Sequence, residues 1–316
     1  MKVESSKISV FLLLDLLLIH EITYFYVMII IADCGGTSCD WKIFTDSCEL
    51  ISEKSGPGIN LTLASEVGIQ AFFRSLPLDE KERKFAAHLF FFGAGSNSNA
   101  SIQLAENELK QALPNCNLYW LSDLELVARA LAGKTESICC ILGTGANVAW
   151  WTGSKLVKYR PALGYILGDE CSGAWFGKRI LKDYFYGQLP EELGNELAGY
   201  LPEDSGLALR KIYSSSTVNA LLAGVFGRLS KSLSHPYMQE LINEGLMEFF
   251  YYHVHSIPAC KCAPIHFGGS VAEALSVYLK DYCSLNGYLP PVIAAKPLSR
   301  VNEEVVLKLV EDFNPD

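Results

Sequence analysis

Two loops of the chain place glycine and threonine directly after an apolar segment, and this pattern could bind phosphate. In IADCGGTSCDWKIF (residues 31–44), an apolar run ends at Asp33 and a Gly-Gly-Thr loop follows. ILGTGANVAWW (residues 141–151) again runs from an apolar segment through a Gly-Thr loop into an apolar segment with Trp. Glycines let backbone N–H groups approach an anion closely, and threonine adds a hydroxyl donor. The two loops therefore predict paired hairpins that face one cleft.

The acid beside the first loop needs its own explanation. Asp33 would repel a bare phosphate, so we interpret it as facing a Mg²⁺ ion, through water, beside the phosphates. Neither loop is a Walker A loop, because G-K-[ST] is missing and the chain continues into a strand. The same continuation argues against a dinucleotide fingerprint. For either loop alone, a tight hairpin that uses glycine only for turn geometry is an equal alternative.

A third small-residue loop occurs in HFGGSVAEAL (residues 266–275), which leaves a strand and enters a helix. A helix N-terminus offers unpaired N–H groups and the positive end of the helix dipole. In a nucleotide site, Gly268, Gly269 and Ser270 could seat the adenosine and its ribose. Taken alone, the segment reads as an ordinary strand-to-helix turn.

Apolar periodicity places these loops on alternating strands and helices, which indicates an α/β fold. Strands are predicted at 28–33, 41–45, 49–60, 88–96 and 117–123, on both sides of the loop in 137–151, and at the start of 264–283. Helices are predicted at 63–76, 100–113, 124–133, 171–188, 217–233, 236–255 and 302–313, and at the end of 264–283.

Composition narrows the class of partner. The chain has 316 residues and a formal net charge of −9, with no basic stripe, so nucleic acid is not an expected partner. Ten cysteines occur without a C-x-x-C pair or a zinc spacing. They are interpreted as free thiols in a reducing cytosol, so a cytoplasmic location is expected, with cluster binding or redox chemistry as the alternative.

The N-terminal segment SVFLLLDLLLIHEITYFYVMIII (residues 9–31) is apolar enough to resemble a signal anchor. It contains Asp15, His20 and Glu21, and each acid at a bilayer centre costs about 2.5–3.5 kcal/mol. A chain that began at Met28 would open directly on the first strand. We expect residues 1–27 to be a non-native extension; a true membrane anchor is the alternative.

Together, DCGGTSCDW, LGTGAN, GYILGDECSG and FGGS resemble the N-acetylglucosamine kinase group of the BadF/BadG/BcrA/BcrD-type ATPase family. This family lies within the superfamily of sugar kinases, actin and heat-shock ATPases. The resemblance runs from residue 28 to the C-terminus. It implies two ribonuclease-H-like (actin-like ATPase) domains with an interdomain cleft that closes over Mg-ATP. The implied domains are 28–134, with 298–316 packing back on it, and 135–297.

The resemblance also implies a reaction and its residues. The γ-phosphoryl of ATP would pass to a sugar hydroxyl, with N-acetylglucosamine converted to its 6-phosphate. Asp123 matches the family's general base, and Asp33 lies on the metal side. The residues implied to bind ATP are Gly35, Gly36, Thr37, Gly143, Thr144, Gly145, Asn147, Gly268, Gly269 and Ser270. Those implied to bind the sugar are Asn60, Gly95, Asp169 and Glu170.

Each matched acid or amide has a simpler structural alternative. Asp123 precedes a helical segment and fits a helix N-cap, which the residue type alone favours. Asn60 fits a turn after Gly58. Asp169 and Glu170 fit the first turn of a helix, where acids meet the positive dipole end.

Two positions depart from the family pattern. Cys171 replaces a glycine of GDEGSG, and would be strained if the site needs a positive φ. Ala146 replaces a serine of GTGSN and lacks a hydroxyl that could contact phosphate. Neither change removes a charged group, but both leave open a reduced activity or a shifted substrate.

Other functions stay open at this point. The chain could be an ATPase of the same family that activates a dehydratase through an iron–sulfur cluster held by cysteines. It could also be a non-enzymatic sugar or nucleotide sensor. For the kinase, the expected partner is a small-molecule sugar, and a homodimer is compatible with the sequence.

Overall fold

A computed structural model of the chain describes residues 27–93, 99–258 and 260–313. Residues 1–26 of the predicted N-terminal extension or anchor lie outside the described residues, and so does Gly95. No helix among the described residues has both the length and the apolar character needed to cross a bilayer.

Ten strands in the described residues form two five-stranded sheets. The first sheet contains β1 (Met28–Cys34), β2 (Ser38–Thr45), β3 (Leu50–Pro57), β4 (Ala86–Gly93) and β5 (Asn117–Ser122). The second contains β6 (Ser137–Leu142), β7 (Ala146–Trp151), β8 (Leu156–Val157), β9 (Ile265–Gly268) and β10 (Val292–Ala294).

The two sheets have the same topology. The strand order is β3-β2-β1-β4-β5 in the first and, read in the matching direction, β8-β7-β6-β9-β10 in the second. In both, the first three strands along the chain pair antiparallel, the fourth pairs parallel with the first, and the fifth pairs parallel with the fourth. This duplication confirms the predicted α/β class with two ribonuclease-H-like halves.

Helices cover these sheets and connect their parallel strands, as crossover connections require. The helices of the first half are Glu66–Arg74, Glu80–Phe85 and Asn99–Ala112. The helix Asp123–Val127, continued by a π-helical turn at Ala128–Ala132, connects the first half to the second. The helices of the second half are Gly164–Leu167, Gly173–Phe185, Glu191–Glu196, Ser205–Tyr213, Val218–Arg228, Pro236–Tyr252, Ser270–Ala274 and Ser276–Leu285. Short 3₁₀ turns lie at Val254–Ser256 and Pro297–Arg300, and the last helix is Glu303–Phe313.

The central strand β1 of the first sheet is buried on both faces, which explains its unbroken apolar run. Ile30 packs with the helices Glu66–Arg74 and Asn99–Ala112 on one face. Ile29 and Ile31 pack on the other face with residues of the segment 298–313. Because side chains alternate along a strand, Asp33 points to the same face as Ile29 and Ile31.

The helical segment from Asp123 to Ala132 lies between the two sheets. Leu126 packs into the core beside the first sheet. Leu124 and Val127 pack with Cys139 and Trp151 of the second sheet. One short segment therefore contacts both halves, and its first residue stands at the C-terminal end of β5.

Candidate active site

The first Gly-Thr loop connects β1 to β2 and packs against the Gly-Pro-Gly segment at residues 56–58. The N–H of Gly35 donates to the carbonyl of Ser38 at 3.0 Å, and the N–H of Gly58 donates to the carbonyl of Thr37 at 3.1 Å. A Cβ on Gly58 would lie 2.2 Å from the carbonyl oxygen of Gly35. Gly58 is therefore needed for the contact that fixes the loop.

The second Gly-Thr loop is held against the N-terminus of the helix Gly173–Phe185. The N–H groups of Gly173 and Ala174 donate to the carbonyls of Gly143 and Thr144 at 2.9 and 3.1 Å. These bonds satisfy two of the N–H groups that a helix N-terminus leaves unpaired. The carbonyls of the loop are thus directed into the protein.

The two loops meet across the interface between the halves. The hydroxyl oxygens of Thr37 and Thr144 lie 3.4 Å apart, although 107 positions separate them in the sequence. The prediction that the two hairpins face one cleft is therefore confirmed. Their contact with phosphate stays a prediction.

The third small-residue loop packs against the second. Gly269 has a φ of +112°, and a Cβ there would lie 2.3 Å from the carbonyl oxygen of Leu142, the residue before Gly143. Only glycine fits this backbone conformation and this contact. The helix that follows, Ser270–Ala274, has five residues. The loop is thus contiguous with the second Gly-Thr loop, as an adenosine-binding role would require.

Three carboxylates gather where the halves meet. Asp33 and Asp40 are directly paired across the β1–β2 hairpin. Burial, and then the charges of Asp123 and Asp40, raise the pKa of Asp33 to about 7, while Lys296 opposes the rise. Lys296 Nζ contacts Asp40 Oδ2 at 2.8 Å. The cluster therefore holds more negative charge than the lysine balances.

This surplus of carboxylate oxygen fits a hard cation. Mg²⁺ is bound in proteins through one or two carboxylates and the phosphates of a substrate, and it keeps several waters. Among the described residues, no group of three or more acids, histidines or cysteines is close enough to enclose a metal ion. Asp33, with Asp40 beside it, suits a water-mediated contact better than a protein cage.

The candidate base is not the helix N-cap. Ser122 occupies that position, and its hydroxyl accepts from the N–H of Leu124 at 3.1 Å. Asp123 is the first residue of the helix, so the N-cap alternative is wrong for Asp123, although its Oδ1 also accepts from Leu124 N at 2.9 Å. Burial raises the pKa of Asp123, opposed by that N–H and by Lys158. A carboxyl with a raised pKa can accept a proton closer to neutral pH.

The acids of GDECSG lie in a strained loop before the helix Gly173–Phe185. Asp169 and Cys171 have φ values of +57° and +63°. Non-glycine residues in this region cost about 1–3 kcal/mol and cluster at functional sites. The positive φ expected to strain Cys171 is therefore present, and its side chain is fully buried in the core of the second half.

The two acids of this loop have different partners. Burial raises the pKa of Asp169, while the N–H of Ala146 donates to its carboxylate and opposes the rise. Glu170 Oε2 lies 2.8 Å from Nε2 of His253. Burial raises the pKa of Glu170, but the hydrogen bond from His253, a backbone hydrogen bond and the charges of His253 and Lys178 together outweigh it, so the pKa is lowered. Asp169 thus contacts the second Gly-Thr loop, whereas Glu170 is held by the helix region that ends near His253.

The predicted amide residues make local hydrogen bonds. Asn60 Oδ1 accepts from the N–H of Thr62 at 3.0 Å, so the turn role is present in the structure. Its Cβ stands 4.0 Å from the position of a Cβ on Gly36, beside the first loop. Asn147 Oδ1 accepts from the N–H of Val148 at 3.0 Å. Binding of sugar or phosphate by these amides stays a prediction.

Four residues at the site were missed by the sequence analysis: Asp40, Lys158, His253 and Lys296. Only Asp40 carried a local signal, because it faces Asp33 in any short hairpin closed by Gly-Gly-Thr. The other three come from distant segments and meet the acids through packing.

All ten cysteines are free. Cys139 and Cys140 are fully buried in the second sheet, where small apolar side chains are needed. Cys262 is exposed, and Cys116 and Cys260 are partly buried.

Comparison with solved structures identifies the fold. The chain matches a protein from Porphyromonas gingivalis, provisionally named N-acetylglucosamine kinase, with 28% identity, a TM-score of 0.79, and coverage of 90% of this chain and 99% of that one. A similarly named protein from Chromobacterium violaceum gives 17% identity and a TM-score of 0.62, with coverage of 90% and 99%. A ROK family glucokinase from Streptomyces griseus, in complex with glucose and AMPPNP, gives 14% identity and a TM-score of 0.50, with coverage of 89% and 96%.

These likenesses define a two-domain actin-like ATPase fold, the class shared by sugar kinases. Within that class, the chain resembles N-acetylglucosamine kinase-like proteins, which confirms the resemblance inferred from its motifs. No protein-family profile matches the chain. No curated protein matches it either.

Proposed function

We propose that the protein transfers the γ-phosphoryl group of ATP to an amino sugar, converting N-acetylglucosamine to N-acetylglucosamine 6-phosphate. The observation that carries this proposal is the meeting of two Gly-Thr loops from separate halves, with Thr37 and Thr144 3.4 Å apart beside a buried acid cluster. The likeness to the Porphyromonas gingivalis protein over 90% of the chain supports it.

The two loops would each contribute donors to the phosphates, one loop from each half. Hydroxyls at this separation can both donate to one phosphate oxygen at ordinary hydrogen-bond lengths. The N–H groups of Gly35 and Gly143 are bonded within their own loops, so backbone donors to phosphate would come from the other loop residues. Asp33, with Asp40 beside it, would hold Mg²⁺ through water, and the ion when bound supplies positive charge against the phosphate oxygens. Catalysis of phosphoryl transfer consists largely of such positioning and charge neutralisation.

Asp123 would act as the general base. It lies at the C-terminal end of β5, where substrates bind in open α/β sheets. The sugar hydroxyl would give its proton to the Asp123 carboxylate while its oxygen bonds to the γ-phosphorus and ADP leaves. Burial raises the pKa of Asp123, which makes the carboxylate a better proton acceptor.

The sugar would lie between Asp123 and the loop that carries Asp169 and Glu170. Glu170 is held by His253 and can accept hydrogen bonds from sugar hydroxyls. Asn60 stands beside the first Gly-Thr loop and would contact the sugar from the other half. We include Gly95 as a further sugar contact; it lies outside the described residues.

The experiment that tests the proposal is a coupled ADP-release assay on the full chain and on a chain that begins at Met28. N-acetylglucosamine, glucosamine, N-acetylmannosamine and glucose are compared at equal concentration. We expect strong stimulation by N-acetylglucosamine, with the 6-phosphate identified by mass spectrometry and NMR. ADP release that no sugar changes would contradict the proposal. An anaerobic absorption spectrum with a brown iron–sulfur chromophore would favour the dehydratase activator instead.

The role of Asp123 is tested by Asp123→Asn with Ser122→Ala as its control. Asn keeps the oxygen that accepts from Leu124, so ATP binding should persist while turnover falls about 10²–10⁴-fold. Ser122→Ala removes the helix cap and should lower the free energy of unfolding by about 1 kcal/mol, with much smaller loss of turnover. Equal losses of turnover in both variants would assign Asp123 a structural role only.

A further inference from the structure

A large cavity opens beside the GDECSG loop, in the second half of the molecule. Its volume is about 990 Å³, near the upper end of the range for small-molecule sites. Gly168 and Glu170 form part of its wall. The cavity is therefore continuous with the loop to which the proposed function assigns the sugar, and it is larger than one sugar ring requires.

The inner wall of the cavity is polar and fixed. Glu170 and His253 form a contact of 2.8 Å, and both side chains are largely buried. Lys178 also lines the cavity, and its Nζ donates to the carbonyl of Tyr165 at 2.9 Å. This bond ties the short helix Gly164–Leu167 to the helix Gly173–Phe185. The polar groups that could orient a sugar are thus held before any ligand binds.

The outer wall is apolar and exposed. Leu163, Ile166 and Leu167 are 54%, 69% and 74% exposed, and Tyr251 and Tyr252 on the facing helix are 65% and 52% exposed. Single exposed apolar residues are ordinary, but a contiguous set in one groove marks a binding surface. Aromatic and aliphatic side chains in such a groove favour a ligand with an apolar face.

The charges that line the cavity nearly balance. Arg160 and Lys178 stand against Glu170 and Glu248, with His253 in contact with one of the acids. The formal charges of these two cations and two acids sum to zero, so the lining has no net preference for an anionic or a cationic ligand. The lining therefore favours a neutral ligand group.

We propose that this cavity receives a neutral, largely apolar substituent of the sugar, so that the substrate class is amino sugars with a group larger than acetyl. The proposal rests on the proposed function, because it takes the sugar to lie at Asp169 and Glu170. Asp169 contacts the second Gly-Thr loop through the N–H of Ala146, and Gly168 and Glu170 on either side of it line the cavity. A sugar at this loop would direct one substituent away from the phosphates and into the cavity.

Two substrate series test the proposal on the full-length protein. One is glucosamine acylated with acetyl, butyryl, hexanoyl or benzoyl groups, and the other is N-acetylglucosamine with a phenyl group on the anomeric oxygen. All keep the 6-hydroxyl free. We expect kcat/KM in at least one series to equal or exceed that of N-acetylglucosamine, by up to about tenfold for a group that fills the apolar wall. The series that succeeds shows which position of the ring faces the cavity.

Substitution of the wall links the effect to the cavity. Ile166→Asp places a charge on the apolar wall, and the ratio of kcat/KM for the favoured larger substrate to that for N-acetylglucosamine should fall at least about fivefold. Val277→Asp is the matched control, because Val277 is 64% exposed on the helix Ser276–Leu285, away from the cavity lining. We expect the control to leave the ratio unchanged.

The outcomes separate this inference from the proposed function. If N-acetylglucosamine is phosphorylated and every larger derivative is at least about tenfold poorer, the cavity inference is refuted and the kinase stands. If larger derivatives are good substrates but Ile166→Asp leaves the ratio unchanged, the cavity is not their site and the inference is refuted. If no sugar stimulates ADP release, both proposals fail.

Discussion

Replacing Asp33 by Asn should stabilise the metal-free protein above neutral pH, although it removes the acid proposed to face the metal. Burial and the neighbouring Asp123 and Asp40 raise the pKa of Asp33 from 3.8 to about 7. Below pH 3.8 the group is protonated in both the folded and the unfolded chain. As the pH rises toward 7, the unfolded chain releases this proton and the folded chain keeps it, so stability is lost. Asn has no such proton and escapes the loss.

The magnitude follows from the interval between the two pKa values. The interval from 3.8 to about 7 corresponds to at most about 4.5 kcal/mol, at roughly 1.4 kcal/mol for each pH unit. At about pH 5.5, roughly half of this has already been lost, so the advantage of Asp33→Asn should grow by about 2 kcal/mol between about pH 5.5 and about pH 8. Titration of groups that do not interact with Asp33 affects both proteins equally and cancels in the difference, whereas Asp123 and Asp40 lose a neighbouring charge in the variant.

Urea unfolding with a chelator present, at both pH values, measures this difference. Asp281→Asn is the control, because Asp281 is exposed on the helix Ser276–Leu285; its effect should stay within about 0.5 kcal/mol. Turnover with Mg-ATP should fall in Asp33→Asn even where the variant is the more stable protein. An advantage that is equal at the two pH values, or smaller at the higher one, would refute the reasoning about Asp33.

Two further substitutions test the packing that positions the site. Gly269→Ala should lower the free energy of unfolding by about 3 kcal/mol or more, because the new Cβ would lie 2.3 Å from the carbonyl oxygen of Leu142. Gly287→Ala, at a φ of +71° with open space around it, should lose only about 1 kcal/mol, and equal losses in urea unfolding would disprove the steric argument. Arg129 is 8% exposed and donates to Asp312 Oδ2 at 2.8 Å. Arg129→Gln should lower the free energy of unfolding by about 2–3 kcal/mol. The double variant with Asp312→Asn should lose less than the sum of the single variants, and strict additivity would show that the pair does not interact.

Features set by local sequence were predictable. The Gly-Thr loops stand out because small residues interrupt buried apolar strands, and two such loops in matching contexts indicate duplicated halves. The long helices follow from their apolar periodicity. The helix Ser205–Tyr213 was missed but carried a signal: Asp204 caps it by accepting from Leu207 N at 2.8 Å, and Ala208 and Ile212 share its buried face.

Features set by distant packing were not predictable. The strands β8 and β10 have two and three residues, too few for an alternating pattern to emerge. Lys296 reaches Asp40 only because the chain returns from the second sheet to the first after β10. The pairing of His253 with Glu170 likewise depends on how the helix Pro236–Tyr252 packs, with 83 positions between the two residues. Such contacts have no spacing that a single sequence could reveal.

The duplicated hairpins differ in the charge of the residues beside their loops. In the first hairpin, the second residue pair counted from the loop is Asp33 with Asp40. The pair at the same place in the second hairpin is Ile141 with Asn147. If both hairpins carried paired acids, four carboxylates would lie beside the loops, and their mutual repulsion would raise their pKa values. Acid on one side only leaves the second loop neutral, so under the proposed function it would donate to phosphate oxygens while the first half would supply the charge for the cation. The asymmetry within a symmetric fold therefore supports a metal-nucleotide cleft over a pair of structural hairpins.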